Sequence, residues 1–127
     1  MRDETRLWLQ FSEENLKSAQ LLAESNLFNP CLQNIQQSVE KSLKAVCIEK
    51  VLGLKRTHSI LELKRILQRA NVTLDLSEDD CDFLDSIYLP TRYPLAGVLP
   101  NFEPNVEICQ RGIQIASRVF KQIRSIL

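Results

Sequence analysis

One stretch of this chain carries amide, carboxylate and ammonium side chains that could bind a ligand. Residues 36–45 read Gln-Gln-Ser-Val-Glu-Lys-Ser-Leu-Lys-Ala, and a single histidine, His58, and an Arg-Tyr-Pro tripeptide at 92–94 follow later. Histidine can move a proton near neutral pH, and a guanidinium suits bidentate contact with a phosphate or a carboxylate. The candidate ligand-binding residues are Gln37, Glu40, Lys41, Lys44, Arg92 and Tyr93.

Each candidate also has a purely structural interpretation. Glu40 and Lys44 have the i, i+4 spacing of a helix-surface ion pair worth about 0.3–0.5 kcal/mol, which we favour over Lys41 or Lys44 reaching a nucleotide phosphate. His58 precedes a helix, and we expect it to satisfy first-turn backbone groups rather than bind a ligand. Arg92 could bind a ligand or pair with Glu40 and lock its loop to the preceding helix. The sequence leaves both roles of Arg92 open.

The spacing of apolar residues places residues 36–45 in a helix. Its buried face follows steps of three and four: Leu32, Ile35, Val39, Leu43 and Val46. The polar residues form two stripes, Gln33 with Gln37 and Lys41, and Gln36 with Glu40 and Lys44. We expect this helix to begin near Pro30, to continue to Leu52 and to end at a left-handed cap on Gly53.

Four further helices complete the prediction. They run from about Asp3 to Glu24, from near Thr57–Ser59 onward, from a capping box at Ser77 and Asp80 through Tyr88, and from about Asn105 to the C-terminus. Residues 90–104 hold four of the five prolines and predict a long loop. No strand pattern competes. The fold is therefore predicted to be all-α, an up-and-down antiparallel bundle of four to five helices in a single domain covering residues 1–127.

The last predicted helix also suggests self-association. Its apolar seam consists of Val106, Cys109, Ile113, Ala116, Phe120, Ile123 and Leu127. A seam of this length predicts a homodimer, because one small bundle need not bury so much apolar surface. The alternative is that the first and second helices cover the seam internally.

Charge and composition limit the possible functions. Sixteen basic and sixteen acidic residues cancel, so the chain lacks the net positive charge that would hold nucleic acid non-specifically. The charges are nevertheless sorted, with eight basic residues between positions 41 and 69 and eight acidic residues between positions 75 and 107. We expect no membrane span, since no stretch approaches about 20 apolar residues. We also expect no signal peptide, and hence a cytoplasmic protein.

The four cysteines give no support for a metal site. They show no C-x-x-C or C-x-x-H spacing, and most fall at predicted core positions, where free cysteine behaves as a small hydrophobe. We therefore expect no metal and no cofactor.

Three motifs in order resemble the HEPN domain of the compact prokaryotic type, usually encoded beside a minimal nucleotidyltransferase. They are Gln36-Gln37-x-x-Glu40-Lys41-x-Leu43-Lys44-Ala45, then His58-Ser59-Ile60 opening a helix, then Tyr88-x-x-x-Arg92-Tyr93-Pro94. The resemblance covers nearly the whole chain. It implies a dimerising helical bundle, a role related to nucleotides or RNA, and a cognate nucleotidyltransferase partner in a toxin–antitoxin-like pair.

The ribonucleases of that family carry an arginine followed after four to six residues by a histidine, and this chain does not. Positions 97–99, which follow Arg92 at that distance, hold glycine, valine and leucine. We therefore expect a non-catalytic nucleotide-binding and interaction module, with no catalytic residue assigned. The alternative is a metal-independent endoribonuclease toxin that uses Arg92 and Tyr93 without the family motif. A third possibility is that the partner modifies Tyr93.

Overall fold

The computed structural model describes residues 1–92 and 103–127, and within these ranges every regular element is helical. The helices are α1 (Asp3–Glu24), α2 (Phe28–Glu49), α3 (Ile60–Arg69), α4 (Glu78–Ser86), α5 (Tyr88–Arg92) and α6 (Val106–Ile126). The predicted all-α class is confirmed. None of these helices is long and apolar enough to cross a membrane.

Helices α1 and α2 form an antiparallel pair. Ser12 and Ser38 are both buried at the middle of the pair, and each hydroxyl donates to the carbonyl oxygen of the other residue, at 2.6 and 2.9 Å. At the end of the pair the Thr5 hydroxyl donates to Glu49 Oε1 at 2.9 Å. Small hydroxyl residues at the crossing let α2 approach α1 without leaving a buried polar group unpaired.

Helix α6 lies across α1 and α2 and completes the core. Gly112 faces Ile35 so closely that a Cβ atom at Gly112 would meet the Ile35 side chain at 2.8 Å. Cys109, Ala116, Phe120 and Ile123 of the predicted seam are buried, whereas Val106 is exposed. The chain's own helices thus cover most of the seam. The homodimer stays a prediction, but this seam no longer provides the argument for it.

The helix boundaries differ from the prediction at two places. Helix α2 ends at Glu49, and Val51, not Gly53, is the left-handed residue that follows the C-cap, with φ of 59°. The N–H of Leu52 then donates to the carbonyl of Cys47 at 2.8 Å, which closes a Schellman motif. The same motif ends α1 and α3 at asparagines, which adopt this conformation more easily than valine.

The second difference concerns Tyr88 and Pro90. The predicted fourth helix is interrupted at Ile87, and Tyr88 begins the separate helix α5, whose first turn accommodates Pro90. The predicted loop therefore does not start at residue 90. Residues 93–102 of that loop, which include Tyr93 and Pro94, fall outside the described residues.

The start of α3 is fastened to α4. Asp85 accepts hydrogen bonds from the Ile60 and Leu61 amides at 2.6 and 3.2 Å and from the Ser59 hydroxyl at 3.0 Å. Ser59 itself caps the Glu62 amide. These two side chains provide the first-turn capping that we had expected from His58. The capping box at Ser77, by contrast, is confirmed.

Candidate functional site

Glu40 is a buried carboxylate whose two oxygens have different partners. Oε2 accepts from Lys44 Nζ at 2.9 Å. Oε1 accepts from Gln36 Nε2 at 3.2 Å and lies 3.1 Å from His58 Nδ1. The side chains of Glu40 and Lys44 are only 11% and 6% exposed. The predicted ion pair between Glu40 and Lys44 is present, but both side chains are buried instead of lying on the exposed helix surface.

Hydrogen bonding outweighs burial in setting the charge state of Glu40. Burial alone would raise the pKa of this carboxyl, but hydrogen bonds from Lys44, Gln36 and His58 and the charge on Lys44 bring it below its ordinary value. An ionised carboxylate only accepts hydrogen bonds, so His58 must carry a proton on Nδ1. A neutral imidazole in this tautomer keeps a lone pair on Nε2, where it can act as a base or an acceptor.

His58 lies at an exposed edge together with an aromatic ring and a cation. Its side chain is 55% exposed. The imidazole stacks on the Tyr88 ring with centroids 5.0 Å apart and planes inclined by 18°. The Arg92 guanidinium carbon lies 4.1 Å from the centroid of the same Tyr88 ring. The imidazole, the phenol and the guanidinium thus form one contiguous cluster.

Gln36 connects this edge to the buried carboxylate. Its side chain is fully buried, its Oε1 accepts from Arg92 Nη2 at 3.0 Å, and its Nε2 donates to Glu40 and to the backbone carbonyl of His58. Of the two roles left open for Arg92, the locking contact is present, but Gln36 mediates it. Every polar atom of the Gln36 amide is used in holding α2, α5 and the segment before α3 together.

Helix α5 is fastened to α2 at a second point. The carbonyl of Thr91 accepts from Gln33 Nε2 at 2.5 Å and from Asn29 Nδ2 at 2.9 Å. Arg92 Nη1 also donates to the Tyr88 carbonyl at 3.2 Å. Helix α5 has only one turn, so its position depends on tertiary contacts. The bonds from Gln33 and Asn29 to the Thr91 carbonyl hold it on α2 and thereby position the neighbouring Arg92 side chain.

Gln37 and Lys41 lie on a different side of α2. Lys41 Nζ donates to Asn15 Oδ1 at 2.8 Å and lies 5.7 Å from the centroid of the Phe11 ring. Gln37 Oε1 accepts from Asn15 Nδ2 at 3.4 Å. Burial lowers the pKa of Lys41. These two residues therefore face α1, while Glu40, Lys44 and Arg92 belong to the cluster around Tyr88.

The sequence analysis named Gln36, His58 and Tyr88 in its motifs but left them out of the candidate ligand-binding residues. Gln36 and Glu40 share a polar stripe, so their contact was visible in the i, i+4 spacing. The contact of His58 with Glu40 had no such signal, because the two residues lie on different elements. Among the described residues no group of three or more histidine, cysteine, aspartate or glutamate side chains could hold a metal ion.

Comparison with known proteins identifies the family. The HEPN domain family matches residues 5–126. The chain belongs to the HEPN domain family. No curated protein matches it.

Two solved structures share the fold of this HEPN domain. The protein TT1696 from Thermus thermophilus is 24% identical, with a TM-score of 0.79, and the match covers 99% of this chain and 100% of that chain. ST0689, an archaeal HEPN homologue, is 22% identical, with a TM-score of 0.74, and the match covers 98% of each chain. At these identities the likeness establishes the fold alone.

The cluster gives this HEPN domain two chemical capacities. A guanidinium has five N–H donors, and the two contacts described above leave others able to bind an anion. An exposed imidazole stacked on a tyrosine offers a flat surface and, at Nε2, an acceptor or a base. A phosphate and a planar ring are therefore the ligand groups that this edge suits best.

Proposed function

We propose that this HEPN domain is a non-catalytic nucleotide-binding and interaction module that pairs with a cognate minimal nucleotidyltransferase in a toxin–antitoxin-like system. The observation that carries the nucleotide part is the contact of the Arg92 guanidinium and the His58 imidazole with one tyrosine ring. Proteins bind single nucleotides and unpaired bases by combining cationic groups for the phosphate with flat side chains for the base. The pairing rests on family resemblance.

In this proposal the six candidate residues have different tasks. Arg92 contacts the phosphate, and Tyr93, which lies outside the described residues, stays a candidate ligand contact on the strength of its place next to Arg92 in the sequence. Glu40 and Lys44 do not contact the ligand. The Glu40 carboxylate orients His58, and the ammonium of Lys44 neutralises that carboxylate. Gln37 and Lys41 form a second polar contact area toward α1. We expect the nucleotide to bind at the cluster around Tyr88, and binding does not require the separate area that Gln37 and Lys41 form with Asn15.

Calorimetric titration with ATP and other nucleotides tests the ligand part. We expect saturable heat with the wild-type protein and an affinity at least tenfold lower with Arg92→Ala. The matched control is Arg69→Ala, which removes an exposed arginine of α3 outside the cluster and should leave affinity within twofold. Absence of saturable heat in wild type and Arg92→Ala alike would reduce the proposal to the interaction role.

Affinity purification from the native host tests the partner. A tagged copy should recover a minimal nucleotidyltransferase in stoichiometric amount, and light scattering of the purified domain at micromolar concentration should give the mass of a homodimer. Recovery of no nucleotidyltransferase would refute the pairing. A monomeric mass would refute the dimer independently.

A second candidate function is a metal-independent endoribonuclease, and the contact between His58 and Glu40 favours it. The carboxylate orients the imidazole, so Nε2 could accept the proton of a ribose 2′-hydroxyl. The 2′-oxygen would then form a bond to phosphorus while the bond to the 5′-oxygen breaks and that oxygen takes a proton from water. The products are a 2′,3′-cyclic phosphate and a 5′-hydroxyl. Arg92 would stabilise the charge on the phosphorane.

Incubation with total or transfer RNA separates the two functions. Cleavage by wild type that is lost in both His58→Gln and Arg92→Ala would establish the enzyme and overturn the non-catalytic proposal. Intact RNA together with nucleotide binding supports the binding module. Arg69→Ala again serves as the control for loss of positive charge away from the cluster.

A further inference from the structure

A groove runs between α1 and α6, away from the cluster around Tyr88. It consists of two adjoining cavities of about 360 and 370 Å³ that share Glu13 and Phe120 in their walls. The residues lining it on α1 extend from Arg6 to Gln20, which corresponds to about 21 Å at 1.5 Å per residue. This is the length of a helix of three to four turns.

The floor of the groove is apolar. Leu9 and Leu16 of α1 and Phe120 of α6 line it, and each keeps a small exposed fraction. A row of apolar side chains along a groove suits an amphipathic helix, because the apolar side chains of such a helix recur at steps of three and four residues and form one face. The sugar–phosphate backbone of a nucleic acid has no comparable apolar face.

The rim of the groove is basic. Its charged side chains are Arg6, Lys17, Lys121 and Arg124, against the single acidic residue Glu13. Glu13 contacts Lys17 and Arg124, each at 3.2 Å, in ion pairs whose basic side chains are well exposed. Exposed pairs contribute little to stability, so an incoming carboxylate can replace Glu13 at low cost.

From this combination we infer that the groove between α1 and α6 docks an acidic amphipathic helix of a different protein. A second copy of this chain does not fit, because a two-fold contact through this groove would bring the same basic rim against itself. The inference does not depend on the proposed nucleotide site, since the residues of the groove and those of the cluster around Tyr88 do not overlap.

Fluorescence anisotropy with two synthetic peptides tests the inference. The acidic probe is a fluorescein-labelled 14-residue helix with leucines on one face and glutamates on the flanks, and the matched basic probe carries lysines instead. We expect the acidic probe to bind at least tenfold more tightly than the basic one and to weaken as salt is raised. Equal affinities for the two probes would overturn the inference.

Variants of the chain locate the binding. The double substitution Lys17→Glu/Lys121→Glu should weaken the acidic probe at least tenfold, whereas the matched pair Lys50→Glu/Arg69→Glu on other surfaces should change affinity less than twofold. Ser117→Trp fills the groove without changing its charge and should also weaken binding, with circular dichroism confirming the fold. Unchanged affinity for the acidic probe in both groove variants would refute the helical partner. It would also be refuted if single-stranded RNA displaced the probe and this displacement were weakened by the same substitutions.

Discussion

Nδ1 of His58 lies 3.1 Å from Oε1 of Glu40, so an exposed imidazole is held by a carboxylate that is itself buried. The carboxylate is neutralised from the other side by Lys44 at 2.9 Å. The contacts of Glu40 with Lys44 and with His58 therefore link a buried ion pair within α2 to the position of the imidazole in the candidate site. A change at Glu40 should therefore affect both.

Removing the charge of Glu40 is expected to destabilise the fold strongly. Glu40→Gln leaves the Lys44 ammonium buried without its counter-charge, and breaking such a pair costs about 3–5 kcal/mol. Glu13→Gln is the matched control, because it removes a carboxylate from exposed pairs worth less than about 1 kcal/mol each. Urea denaturation at pH 7 measures both. Equal losses in the two variants would show that burial of the Glu40 pair has no energetic consequence.

Stability should also fall in acid partly through Glu40. Its pKa in the folded protein is below the ordinary value of 4.5, so its ionised form favours the folded state above that value. This contribution is lost as pH falls from about 4.5 through the lower folded-state pKa. Glu49, whose pKa is lowered by hydrogen bonds from the Arg2 amide and the Thr5 hydroxyl, adds to the same trend.

Denaturation curves between pH 3 and 7 check the assignment. Glu40→Gln should show a smaller loss of stability over the acid range than wild type, because it cannot take up the proton. Glu49→Gln should remove a separate part of the pH dependence. Parallel curves for wild type and Glu40→Gln would contradict the lowered pKa.

Asp85 is expected to position His58 without contacting it. Asp85→Ala removes three hydrogen bonds at the start of α3, and loss of a helix cap typically costs about 0.5–2 kcal/mol. The segment before α3 should then loosen and separate the imidazole from Glu40. The chemical shifts of the His58 ring, measured by nuclear magnetic resonance at one fixed pH, report that displacement through the stacking of the imidazole on Tyr88.

A comparison with Asp79→Ala isolates this effect. Asp79 is exposed in the first turn of α4, and its side chain makes no hydrogen bond or ion pair with the described residues. Its removal should leave the chemical shifts of the His58 ring as in wild type. An Asp85→Ala variant with unchanged His58 chemical shifts would mean that Glu40 and Tyr88 alone hold the ring.

Relief of backbone strain at Val51 is expected to stabilise the protein. This β-branched residue has φ of 59°, a left-handed conformation that costs an L-residue about 1–2 kcal/mol, and it is 70% exposed. Val51→Gly should raise the free energy of unfolding by up to about 1 kcal/mol, since glycine loses more entropy on folding. Thermal denaturation measures the gain. Leu54→Gly, at an exposed residue without positive φ, should lower stability, and a loss in both variants would contradict the strain.

Local rules accounted for the helices but not for every helix end. The three- and four-residue spacing of apolar residues predicted α1, α2 and α6, and the capping box predicted the start of α4. Gly53 was the natural candidate for the cap of α2, yet Val51 takes that position, and the Leu52 amide donates back to the Cys47 carbonyl. Tyr88 was assigned to α4, although Pro90 is a local signal for the interruption, because proline has no amide to donate to the carbonyl of residue 86 and is tolerated in the first turn of a new helix.

The sequence by itself determined the helical class, the HEPN resemblance and the helix that carries the candidate residues. The tertiary structure decided which of them meet. Gln33, Gln37 and Lys41 form one stripe on α2, but the folded structure divides it: Gln37 and Lys41 contact Asn15 of α1, whereas Gln33 contacts α5. Gln36, in the other stripe, also contacts α5, through Arg92. His58 lies 18 residues from Glu40, and no local preference sets such a contact. We expect it to depend on Asp85, which binds the start of α3 from 24 to 26 residues away and can do so only when the chain has folded.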